Sequence, residues 1–166
     1  IIGLSGAGKT TLGKELCAII KNEKPNTVFI DGDMIRDIMG NDLGHSLEDR
    51  RKNAGRICRL CKVLEEQRIN VVCAILSIFP ESRVWNRVNF RQYFEVYIDV
   101  PMDVLIKRNQ KGLYAAALEG KRSDVIGINI PFEKPVNPDY TFCNTFDLAS
   151  MGVVALDIFK RLPRLD

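Results

Sequence analysis

Histidine occurs once in this 166-residue chain, as His45, and tryptophan once. No apolar run approaches the roughly 18 residues of a membrane-spanning helix, so no membrane partner is expected. Dense Lys/Arg tracts are also missing, and the formal net charge is only +3. That balance argues against nucleic acid as a partner and suits an acidic small molecule. No internal repeat, low-complexity tract or long linker divides the chain, which reads as one domain over 1–166. Five cysteines, an odd number, lie mostly inside apolar runs. They form no disulfide framework and fit a reducing, cytoplasmic setting. Cys58 and Cys61 are spaced C-x-x-C, but they fall mid-helix without a second pair and are read as packing. No signal peptide is visible. The chain opens at Ile1, without Met, inside a strand pattern, so preceding residues are expected to be missing, and a short leader could have been lost with them.

What is present alternates. Ile1–Leu4 reads as a strand tail, 9–21 as a helix, Thr27–Ile30 as a strand ending in Asp31-Gly32-Asp33. Ser46-Leu47-Glu48-Asp49 has the form of a capping box before a helix reaching about Gln67. Asn70–Leu76 is a continuous apolar run, as in a strand covered on both faces. Residues 82–92 read as helix, Phe94–Val100 as strand, Met102–Asn109 as helix, Tyr140–Cys143 as strand and 151–162 as a final helix. This order predicts an α/β fold, a three-layer sandwich of about five parallel strands with helices on both faces. Residues 110–137 show little periodicity and are expected to form a lid.

The first loop carries the chemistry. Gly3-Leu4-Ser5-Gly6-Ala7-Gly8-Lys9-Thr10 matches G-x-x-x-x-G-K-[ST] between a predicted strand and a predicted helix. Its glycines let successive amides face phosphate oxygens, and the helix presents its positive end to the same anion. Gly3, Ser5, Gly6, Ala7, Gly8, Lys9, Thr10 and Thr11 are therefore the ATP-binding candidates. Lys9 would reach the β- and γ-phosphates, and Thr10 would place its hydroxyl on Mg²⁺. This makes the fold of the P-loop NTPase type. Asn-Lys-x-Asp is absent, and the run Val71–Leu76 ends in Ser77 rather than Asp. Both absences point to a small-molecule kinase rather than a GTPase or motor ATPase.

Asp31 and Asp33 end a strand on the edge where open α/β sheets bind ligands. Asp33 is favoured as the base that takes the acceptor's proton, and Asp31 as a residue of the Mg²⁺ water shell or a helix cap; either could serve the metal through water. Arg50 and Asn53 share a helix face, and Arg36 precedes them; their forks and amide suit an anionic acceptor with a ribose or base edge.

These segments together resemble the adenylylsulfate kinase family, which phosphorylates the 3′-hydroxyl of adenosine 5′-phosphosulfate. The resemblance rests on the phosphate loop; on Asp31-Gly32-Asp33 with Arg36; on Asp42-Leu43-Gly44 followed by Asp49-Arg50 and Asn53; and on Lys111-Gly112-Leu113-Tyr114. Phe94–Tyr97, Gly127-Ile128 and Pro131–Pro135 extend it across almost the whole chain. It implies that Arg36, Arg50 and Asn53 bind the acceptor nucleotide and that Lys111, Gly112 and Leu113 close over it. It also implies that Arg108 helps hold ATP, and that the protein forms a homodimer, as relatives often do. Ser77 falls where the family carries a serine described as a phosphoserine intermediate. In-line transfer needs no covalent step, so Ser77 is read as a hydrogen-bonding residue at a strand end. Ser77-Ile78-Phe79-Pro80 stands where the family has Ser-Pro-Phe-Arg, so one arginine is gone. The departures cluster on the acceptor side: His45 and Val125 occupy the places of two phenylalanines that clamp the adenine. A changed acceptor such as cytidine diphosphoramidate, phosphorylated by a related kinase, is therefore an alternative. An alternative of another class is a nucleotide-binding module without turnover.

Overall fold

The computed structural model describes residues 1–145 and 150–163. Its sheet is built from two parallel ladders. In one, β1 (Thr27–Asp31) pairs with β2 (Asn70–Ala74), from Thr27 opposite Asn70 to Asp31 opposite Ala74. In the other, β3 (Val96–Asp99) pairs with β4 (Tyr140–Cys143), from Val96 opposite Tyr140 to Asp99 opposite Cys143. Ile2 joins them, bridging in parallel to both Ile75 and Tyr97. Its amide donates to the Val96 carbonyl at 2.7 Å, and its carbonyl accepts from Ile98 N at 2.8 Å. The expected five-stranded parallel sheet is thus present, but its central strand is reduced to one bridging residue. Gly3 follows at once, where a Cβ would lie 2.9 Å from the Ile98 carbonyl oxygen. The backbone approaches its neighbour closely there and then leaves the sheet as the phosphate loop.

Helices cover both faces. On one, α1 (Lys9–Glu23) packs with α7 (Met151–Arg161), and Leu12, Leu16, Ile20, Ala155 and Ile158 join Val96 and Ile98 in the larger core. On the other, Ile35 of α2 (Gly32–Ile38) and Ile57 and Cys61 of α3 (Leu47–Glu66) meet Ile30 in a smaller one. Cys58 and Cys61 are buried on α3 as packing residues. Further helices are α4 (Pro80–Asn89) and α5 (Met102–Arg108). Ser46 caps α3 as its spacing predicts, accepting from Asp49 N at 3.1 Å. In return its hydroxyl donates to the Asp49 carboxylate at 2.8 Å, so the acid answers the cap side chain rather than the cap amide.

The stretch 110–137 is more ordered than its composition suggests. A 3-10 turn over Gln110–Gly112 leads into α6 (Leu113–Leu118). Tyr114 and Ala117 of α6 are buried in the larger core. The expectation of an aperiodic lid is corrected here: its first part is a docked helix. Six residues are too few to show a helical period, although three alanines in a row favour one.

Candidate functional site

α1 begins at Lys9 because Gly8, at φ +98°, turns the chain through a conformation that a side chain would obstruct. A Cβ on Gly8 would lie 2.7 Å from Met151 Cε and 2.9 Å from Asn144 Nδ2. The loop's carbonyls are held by donors from distant elements. Tyr114 Oη donates to Ser5 O at 2.8 Å, Arg108 to Gly6 O at 3.2 Å, and Asn144 Nδ2 to Ala7 O at 2.8 Å. Arg108 also donates to Asn144 O at 3.0 Å, tying α5 to the end of β4. These bonds fix the loop's curl, which is what an anion nest requires. Lys9 donates from Nζ to Leu4 O at 2.8 Å. Burial lowers its pKa to about 8, against the opposing pull of Asp31 and Asp33.

Asp31 stands at the junction of β1 and α2 and does two things. Oδ1 accepts from Asp33 N at 2.9 Å, capping α2, and Oδ2 accepts from Thr10 Oγ1 at 2.6 Å. Of the roles open to Asp31, the cap is present, and the contact with Thr10 sets its second oxygen at the phosphate loop. Asp33 faces the 3-10 turn: its Oδ2 lies 3.3 Å from Lys111 Nζ, with both side chains at least three-quarters exposed. Lys111 reaches it from a turn in which Asn109, Lys111 and Gly112 all have positive φ (38°, 55° and 67°).

On the acceptor side, arginines brace the loop that carries His45. Arg36 donates to the carbonyls of Leu43 at 3.1 Å and Gly44 at 2.9 Å. Arg56 grips Asp42 through two bonds of 2.7 Å each. Arg50 Nε donates to His45 O at 2.8 Å, and its other arm donates to Asp124 O at 3.0 Å. Burial, then the charges of Arg36 and Arg50, lower the His45 pKa, which favours the neutral imidazole. Arg122 forks onto the Asp124 carboxylate at 2.9 and 2.7 Å. Asn53 is 6% exposed, and its Oδ1 finds no hydrogen-bond partner among the described residues. Val125 is 1% exposed and belongs to the apolar core. It underlies the site instead of offering a broad face.

Ser77 adopts φ +50°, uncommon for a residue with a side chain. Its carbonyl accepts from the buried Arg83 at 2.8 Å. Phe79 is buried at the start of α4, with the Arg51 guanidinium 4.3 Å from its ring centroid.

A single cleft of about 1290 Å³ runs between these groups. Ser5, Gly6, Gly8, Lys9, Thr10, Thr11 and Arg108 line its phosphate-loop end. Asp31, Asp33, Arg36, His45, Arg50, Asn53, Ser77, Ile78, Phe79, Lys111, Leu113 and Val125 line the rest. The volume exceeds the roughly 300–1000 Å³ of a one-ligand pocket. Three candidates do not line it: Gly3 sits in the sheet seam, Ala7 is fully buried beneath the loop, and Gly112 serves the turn. Sequence reasoning missed Asn144, Arg122 and Asp124, which also line the cleft. Asn144 had one usable signal, its place just past the C-terminal end of a parallel strand. Arg122 and Asp124 had none beyond their charge.

The adenylylsulphate kinase family model matches residues 1–142. The chain is 36% identical over 164 residues to an adenylyl-sulfate kinase of Chloroflexus aurantiacus, covering 99% of this chain and 87% of that protein. It is 38% identical over 141 residues to the cytidine diphosphoramidate kinase of Campylobacter jejuni, covering 81% and 79%. The Mycobacterium tuberculosis APS kinase CysC, solved in complex with AMPPNP and APS, superposes with a TM-score of 0.81 at 29% identity, over 96% of this chain and 94% of that one.

Proposed function

Because this chain belongs to the adenylylsulphate kinase family, we propose that it transfers the γ-phosphoryl group of ATP to the ribose 3′-hydroxyl of adenosine 5′-phosphosulfate. The observation that carries this reading is the continuity of the cleft, which joins the phosphate loop to Asp33 and the arginines without an intervening wall. Phosphoryl transfer is chiefly a matter of position and charge, and the residues divide accordingly. The loop and Lys9 hold the terminal phosphates of ATP, with Arg108 behind them. Arg36 and Arg50 hold the acceptor's anionic groups, and Asn53 Oδ1 takes a donor from its sugar or base. Asp33 accepts the proton of the attacking hydroxyl. Lys111 brings the lid's positive charge to within 3.3 Å of that carboxylate, beside the path of the phosphoryl group.

The donor set also fits Mg²⁺. Thr10 and Asp31 present two oxygens 2.6 Å apart beside Lys9, while no group of three or more metal-binding side chains gathers anywhere among the described residues. A magnesium ion there would take Thr10 directly and Asp31 or Asp33 through water, with phosphate oxygens completing its shell. When bound, it neutralises charge on the phosphates. Ser77 serves the acceptor as a hydrogen-bonding residue. The same reading includes one domain over 1–166, supported by a core that runs from Leu4 to Ile158. It also includes a homodimer, a cytoplasmic location and no nucleic-acid partner. Among the described residues no helix is long and apolar enough to cross a membrane.

One observation favours a second acceptor. His45 and the buried Val125 stand where the family clamps adenine with aromatic rings, and base stacking is worth about 1–3 kcal/mol per base. Cytosine is a smaller base with less face to stack than adenine, so a cytidine diphosphoramidate acceptor forgoes less where the clamp is altered. ADP release with ATP and Mg²⁺ tests both readings. Efficient turnover of adenosine 5′-phosphosulfate supports the first, and turnover confined to cytidine diphosphoramidate supports the second. Nucleotide binding without turnover of any acceptor leaves a non-catalytic module.

A further inference from the structure

The acceptor end of the cleft holds a polar arrangement that the phosphoryl-transfer chemistry does not use. Asp124 is gripped by Arg122 through both carboxylate oxygens, at 2.9 and 2.7 Å. Its backbone carbonyl is held by Arg50 at 3.0 Å, and the same Arg50 holds the His45 carbonyl at 2.8 Å. Arg50 therefore fixes Asp124 and His45 relative to each other, although they come from segments far apart in the chain. The Asp124 side chain keeps 30% of its surface open, in the same cleft that Asn53 lines. Each carboxylate oxygen can accept two hydrogen bonds, so the Arg122 fork leaves capacity on both. Arg122 directs and charges this wall without exhausting it.

Resting on the proposed reading of this site as a nucleotide 3′-hydroxyl kinase, we infer that Asp124, oriented by Arg122, is a specificity-determining residue that selects acceptor bases bearing an exocyclic amino group. The carboxylate is an acceptor only, so it takes an N–H of an amino group and repels a carbonyl oxygen at the same place. Adenine and cytosine satisfy it; hypoxanthine and uracil do not. Selection by a polar edge replaces part of the hold that two stacking faces would give. A carboxylate facing a carbonyl oxygen meets repulsion in place of a hydrogen bond, which is how such an edge discriminates.

The test compares kcat/KM for amino and keto acceptors of matched 5′ substituent: adenosine against inosine 5′-phosphosulfate, and cytidine against uridine diphosphoramidate. Wild type is expected to prefer the amino member of whichever pair it uses by about tenfold or more, the scale of one good base-edge contact. Asp124→Asn preserves shape but adds a donor, and should shrink that preference about tenfold while keto acceptors gain in absolute terms. Arg122→Met removes the orienting fork, and should shrink the preference without favouring keto bases. If wild type phosphorylates nucleotides but does not discriminate, or if its preference survives both substitutions in folded protein, the inference falls and the kinase reading stands. If wild type phosphorylates none of the four nucleotides, both fall. A purely structural Asp124 would lower turnover of both members equally and leave the ratio unchanged, which also overturns the inference.

Discussion

The Tyr114 hydroxyl donates to the Ser5 carbonyl across 109 positions of sequence, linking the first turn of α6 to the phosphate loop at 2.8 Å. Tyr114 is fully buried, and burial pushes its pKa up to about 12, so the hydroxyl stays a donor throughout the physiological range. Tyr114→Phe should cost about 1 kcal/mol of stability, the net worth of a buried hydrogen bond. It should also raise the KM for ATP more than the KM for the acceptor. Thermal unfolding and steady-state kinetics check the two effects separately.

Lys9 supplies a pH dependence with a definite sign. In the ligand-free protein its pKa is lowered from 10.5 to about 8 by burial. Phosphate oxygens favour the charged amine, so ATP binding should raise that pKa and take up protons near pH 8. Affinity for a non-hydrolysable ATP analogue should be level below pH 7 and fall above pH 8 by up to about tenfold per unit. Calorimetry in buffers of different ionisation enthalpy measures the uptake. Stability of the free protein should run the other way. The charged, buried Lys9 is a cost below pH 8, and stability should rise from pH 8 towards 10.5, where the unfolded chain binds the extra proton. Lys9→Met should abolish both trends along with turnover.

Asp31 accepts from both Thr10 and Asp33, so its removal should show two effects at once. Asp31→Ala should destabilise by about 1 kcal/mol through the lost cap. It should also raise the Mg²⁺ concentration needed for half-maximal activity. Asp31→Asn keeps a capping oxygen and should recover the stability but not the magnesium response. Melting curves and magnesium titrations of the two variants separate the roles.

Ser77 offers a test of covalent participation. Its φ of +50° is costly for a residue with a Cβ, by about 1–3 kcal/mol, so Ser77→Gly should raise the melting temperature. Turnover of Ser77→Gly and Ser77→Ala should stay within about tenfold of wild type if transfer is directly in line. A loss of several orders of magnitude in both would mean that the hydroxyl takes part in the chemistry.

The parts of this site that the sequence disclosed are those built from neighbouring residues. The phosphate loop, the Ser46 cap and the Asp31-Gly32-Asp33 turn are local, and their residue types follow from local backbone needs. The resemblance extended that reach to Arg36, Arg50, Asn53 and Lys111, all of which line the cleft. What escaped depends on contacts between distant segments. Asn144 matters because it bonds to Ala7 over 137 positions, and its place just past a strand end marks the edge of the sheet but not that partner. Asp124 and Arg122 lay in a stretch read only as lid, and their mutual fork is visible only once the backbone is placed. Val125, named from the resemblance, both lines the cleft and belongs to the core, and only the three-dimensional packing shows that second role. α6 was overlooked because its six residues, set between two glycines, carry too little pattern to declare a helix.

The seam at Ile2 also sets an order of events during synthesis. Ile1 and Ile2 leave the ribosome before both of their sheet neighbours, and the Ile1–Cys73 contact alone spans 72 positions. The second neighbour, β3, comes later still, and the Asn144 amide that steadies the loop comes last. A growing chain can therefore complete the β1–β2 ladder with α1 in place and still lack a finished nucleotide site. The Asn144 support of the phosphate loop is therefore available only once all four strands have been made.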